Sequence, residues 1–107
     1  MSNWNEEMHV KWINTVTRWI SYRSIEDNPD GLVKSSDELI DWMKNIGFDI
    51  ETYQDPKAPY RPVIVATKPP ENGNNWIGFF HHYDVETADE KKWNTNPWEA
   101  VLEDGLL

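Results

Sequence analysis

Two histidines and an aspartate, His81, His82 and Asp84, close an apolar run that begins Trp76-Ile77-Gly78-Phe79-Phe80. Imidazole is the commonest metal ligand among side chains, and a carboxylate beside it can orient the ring and raise its basicity. Side chains two apart on an extended backbone share a face, so His82 and Asp84 are expected to project together. One use of such a pair is to hold a metal ion. The plainer assignment, which spacing alone favours, makes His81 and His82 a satisfied pair near a sheet edge and Asp84 the cap of the following turn.

Other chemistries find less support in the sequence. There is no cysteine, which removes thiol nucleophiles, thiolate metal sites and disulfides. No serine sits in a Gly-x-Ser-x-Gly elbow and no glycine loop could cradle a phosphate. The 19 acidic residues are scattered, so no carboxylate pair stands out for acid and base work. His9 lies beside a helical apolar stripe and reads as a surface histidine.

The elements that must position His82 and Asp84 follow from periodicity. Trp4, Met8, Trp12, Val16, Trp19 and Ile20 recur three or four apart, which predicts an amphipathic helix over residues 3–20, with Asn3 and Glu6 at capping-box spacing. Asn28-Pro29-Asp30-Gly31 breaks that helix and starts a second, whose apolar face is Leu32, Val33, Leu39, Ile40, Met43 and Ile46. Gly47 followed by Phe48 is the expected ending. Phe48, Ile50 and Thr52 alternate with polar neighbours as in a half-exposed strand. Residues 55–62, with three prolines, read as a loop, and Val63-Ile64-Val65-Ala66 as a short inner strand. The turn signal Asn72-Gly73-Asn74-Asn75 then opens a buried strand that ends in the histidines. Residues 99–105 could form a further strand and turn.

Composition bounds the partners. Ten basic residues against 19 acidic ones give a net charge of -9, which repels phosphate backbones and anionic lipid, so neither nucleic acid nor a membrane is expected. The amino terminus has no signal-peptide pattern and no apolar run is long enough to span a bilayer. A soluble, cytoplasmic protein is expected. Seven tryptophans in 107 residues suit a core or an interface better than a row of sugar-stacking rings.

Residues 77–85, followed by Trp93, Pro97-Trp98 and Asp104-Gly105-Leu106, resemble the amino-terminal part of the zinc metallopeptidase family that includes carboxypeptidase G, aminoacylase, acetylornithine deacetylase, succinyl-diaminopimelate desuccinylase and several dipeptidases. In that family a strand runs into Gly-His-x-Asp-Val, then a tryptophan, a Pro-Phe pair and a glycine. Ser21-Tyr22-Arg23-Ser24-Ile25 and Asn45-Ile46-Gly47-Phe48-Asp49-Ile50 also look like the family's opening. The resemblance implies that His82 ligates one of two zinc ions and that Asp84 is the catalytic aspartate that orients the histidine. It implies a peptide or N-acyl amino acid substrate, with the metals polarising the scissile carbonyl. His81, Thr87 and Trp98 depart from the family's usual glycine, proline and phenylalanine, and His81 in that place would either crowd the site or compete as a ligand.

The fold class implied is α/β, a layered mixed sheet flanked by helices, with residues 1–107 forming the incomplete amino-terminal portion of a metallopeptidase catalytic domain. Leu106 and Leu107, two apolar residues without a polar cap, fit that expectation. A catalytic zinc keeps about three protein ligands, so His82 with Asp84 is expected to bind zinc at most weakly and the chain alone to be inactive. The alternative is a non-catalytic interaction module that self-associates, as a homo-oligomer, or binds a partner through exposed sheet edges and tryptophan-rich surface.

Overall fold

The computed structural model describes residues 5–107. It contains helices α1 (Glu6–Ser21) and α2 (Pro29–Asn45), strands β1 (Asp49–Asp55) and β2 (Ala58–Thr67), and a short 3-10 turn at Glu90–Lys92. This is a small α/β fold. The sheet is one antiparallel hairpin in which Ile50 faces Ala66 and Tyr53 faces Val63.

Helix α1 starts at Asn5, whose Oδ1 accepts the Met8 amide at 2.9 Å and satisfies one otherwise orphaned N–H. The capping pair expected at Asn3 and Glu6, and the stripe position Trp4, involve residues 3 and 4, outside the described residues. Helix α2 opens with Pro29 in its first turn and ends as its sequence predicts. Gly47 takes a left-handed φ of 96°, the Phe48 amide bonds the Met43 carbonyl at 3.0 Å, and the Gly47 amide bonds Lys44 at 3.0 Å. These are the paired closing bonds of a Schellman ending.

Strand β2 is longer than its β-branched run. Residues expected to form a loop instead belong to it from Ala58, with only Pro56 and Lys57 turning the chain. Pro59 and Pro62 are tolerated because the sheet has only two strands, each with a free edge, and because the register slips between Tyr53 and Asp55, opposite that stretch.

The buried strand expected at residues 76–85 does not form. The segment runs without regular structure, and Ile77, Phe79 and Phe80 are 81%, 82% and 96% exposed. An apolar run records an appetite for burial, but among the described residues no strand lies alongside to pair with it. Of the expected strand and turn at residues 99–105 only the turn is present. Asp104 and Gly105, with φ of 52° and 78°, join Glu103 to Leu106 through a reciprocal pair of hydrogen bonds.

The core is correspondingly slight, consisting of Ile25, Leu32 and Ala58 with the buried hydroxyls of Ser24, Ser35 and Ser36. Helix α2 packs on the hairpin, and Arg18 of α1 pairs with Glu38 of α2. The radius of gyration is 16.6 Å, against roughly 13 Å for a close-packed chain of this length. None of the six described tryptophans is fully buried, so they do not form a core. Among the described residues no helix is long and apolar enough to cross a membrane.

Candidate functional site

His82 and Asp84 come together on a segment without regular structure, with side chains 79% and 61% exposed. The His82 Nδ1 lies 2.7 Å from the main-chain carbonyl oxygen of Asp84 and 3.2 Å from its Oδ1. A carbonyl oxygen can only accept, so Nδ1 carries the hydrogen. In the neutral ring the lone pair is then on Nε2, the tautomer that a ligating histidine with a second partner adopts.

His81 does not join them. Its ring stacks on Phe79, with centroids 6.3 Å apart and planes inclined by 14°. That places it with the other odd-numbered side chain of the run. Among the described residues no three histidine or acidic side chains gather as a metal-binding group. The arrangement supplies one imidazole nitrogen oriented by a carbonyl, with a carboxylate beside it.

What holds the segment is a set of contacts from elsewhere in the chain. The Ser24 hydroxyl donates to the Tyr83 carbonyl at 3.2 Å, and the Val85 amide donates to the Ser24 carbonyl at 2.9 Å. The Tyr83 hydroxyl reaches inward and donates to the carbonyl of buried Pro62 at 2.6 Å. Burial, and then the charge of Asp84, push the Tyr83 phenol above its ordinary range, so it stays protonated and remains a donor.

Ser24 and Tyr83 were not among the residues that spacing marks as chemical. The available signal was the alternation itself, since a segment that sends His82 and Asp84 outward must send Tyr83 the other way. Ser24 gave no signal beyond its place in the segment that resembles the family's opening.

Beside the site lies an apolar cavity of about 460 Å³, bounded by Trp19 and Ile20 of α1, Val85, and the loop carrying Trp93, Trp98 and Val101. The Trp98 Nε1 is buried with no hydrogen-bond acceptor among the described residues, while the Arg23 guanidinium sits 5.5 Å from the centre of the Trp98 ring. Polar residues in its lining are Ser24, Glu86, Thr95, Asn96 and Glu99.

Compared with known proteins, the chain matches no family model, no curated protein and no solved structure.

Proposed function

We propose that residues 1–107 are the amino-terminal portion of a zinc-dependent hydrolase that cleaves peptide or N-acyl amino acid amide bonds, with His82 as a metal ligand and Asp84 as the residue that orients it. The observation that carries this reading is the 2.7 Å contact from His82 Nδ1 to the Asp84 carbonyl, which leaves Nε2 as the outward nitrogen of an exposed ring. That donor set suits one position of a zinc site and is too small for a whole one. Zinc, when bound by a complete ligand set, supplies Lewis acidity toward the substrate carbonyl. The part left to this chain is to hold one ring in a fixed tautomer and to keep Asp84 against it. On this reading the chain alone has no hydrolytic activity, and the missing layers of a mixed sheet would cover residues 76–85. A cytoplasmic setting suits its lack of cysteine.

Zinc titration followed by calorimetry and by the His82 ring signals tests it. Weak binding that disappears in H82A supports the assignment. Tight, stoichiometric binding that survives H82A would overturn it.

A second reading is favoured by a separate observation, the exposure of Ile77, Phe79 and Phe80 along a segment whose backbone pairs with no strand among the described residues. On this reading the chain is an interaction module that self-associates or takes a partner strand there. Light scattering discriminates, because a monomer at high concentration is incompatible with obligatory self-association.

A further inference from the structure

We propose that Ser24, in the loop between α1 and α2, is a positioning residue for the His82–Asp84 pair. For its functional meaning the inference rests on the metal-site reading above; its geometry does not. Ser24 is 2% exposed and grips the main chain on both sides of Asp84, its hydroxyl bonding the Tyr83 carbonyl and its carbonyl the Val85 amide. Tyr83 turns inward to the Pro62 carbonyl and Val85 borders the apolar cavity, while the side chains of His82 and Asp84 between and beside them stand exposed. Gripping the odd-numbered residues therefore decides that His82 and Asp84 face outward together. Ser24 acts through the backbone of Tyr83 and Val85.

The loop that presents Ser24 is itself held in an unusual shape. Arg23 has a φ of 50°, a left-handed conformation that a long side chain rarely adopts. Such strain persists only where the surroundings determine it, and here three groups do so. The Asn28 Nδ2 donates to the carbonyls of Tyr22 at 3.1 Å and Arg23 at 2.9 Å. Gly31 admits those carbonyls, since a Cβ at that position would stand 2.1 Å from the Tyr22 oxygen and 2.7 Å from the Arg23 oxygen. The Arg23 side chain is anchored over Trp98. A buried hydroxyl aimed at a carbonyl on a segment 59 residues away, from a loop braced on three sides, is a device for fixing that segment.

The test uses the intact chain with nitrogen-labelled histidine, at a pH where the rings are neutral. Wild type is expected to show His82 as the Nδ1–H tautomer. S24A keeps the carbonyl that holds Val85 but loses the donor to Tyr83. It should drift toward a mixture of tautomers and bind zinc about tenfold more weakly, the low end of the effect for groups that orient a metal ligand. S24C, a weaker donor of similar size, should fall between the two, and it decides the matter if S24A does not fold.

A residue serving stability alone would lower the unfolding midpoint and leave the tautomer of the folded molecule unchanged. A folded S24A or S24C with the wild-type tautomer would therefore overturn the proposal. If wild-type His82 fails to respond to zinc, the metal reading falls, and the tautomer series still decides the role of Ser24.

Discussion

The Tyr83 hydroxyl and the Pro62 carbonyl, 2.6 Å apart, tie the candidate site to the hairpin. Removing the hydroxyl leaves a buried carbonyl without its donor, so Y83F should lower unfolding free energy by ~1 kcal/mol, measured by urea denaturation. The phenol is raised above its ordinary value of 10.0, mainly by burial. A group raised in the folded state contributes its stability fully below its unfolded pKa and loses it as pH rises through the folded one. The difference between wild type and Y83F should thus be constant through neutral pH and shrink above about pH 10.

Arg18 and Glu38 join the two helices. The hydrogen bond from Arg18 holds the Glu38 carboxyl below its ordinary value of 4.5, and the same bond raises Arg18. A depressed carboxyl contributes stability above its unfolded pKa and loses it as pH falls through the folded one. E38Q should therefore be less stable than wild type at pH 7 by ~1 kcal/mol, because Arg18 is half exposed and its charge is screened. The two proteins should converge below about pH 4, as followed by thermal melts across pH.

Gly47 offers a test of backbone conformation alone. A Cβ there meets nothing closer than the Lys68 ammonium at 3.7 Å, so space is not limiting. The left-handed φ of 96° is the constraint. G47A should cost about 1 kcal/mol, and calorimetric melting should register it as a lower midpoint without loss of helix content.

The exposed run at residues 76–80 predicts concentration-dependent association. Sedimentation velocity should show larger species as concentration rises. A double variant, F79S with F80S, should restore the monomer while leaving the circular dichroism of the helices unchanged, since neither ring packs on them.

Much of the local structure was legible because it depends on neighbours in sequence. The Gly47-Phe48 ending, the Pro29 helix start and the presence of a strand at β1 are decided within a few residues, whereas the alternating burial expected there is absent, since every residue of β1 but Ile50 is exposed. His82 and Asp84 are likewise local, meeting across a separation of two residues. Two readings failed for a different reason. Pro59 and Pro62 argued for a loop, yet an edge strand with slipped register accepts them. The run ending in His82 promised a strand, but strand formation depends on a partner, which periodicity does not report. Ser24 was illegible for the same cause, since its partners Tyr83 and Val85 lie 59 residues or more further along the chain.

That separation carries a consequence for the order of assembly. The hairpin closes across a two-residue turn and each helix forms from bonds four residues apart, whereas the Ser24 clasp must first enclose the whole of α2 and the sheet. Closing a longer loop sacrifices more chain entropy, and contacts distant in sequence slow folding. The clasp therefore forms late, after the elements it spans. During synthesis or refolding, the scaffold is built before His82 acquires its orientation.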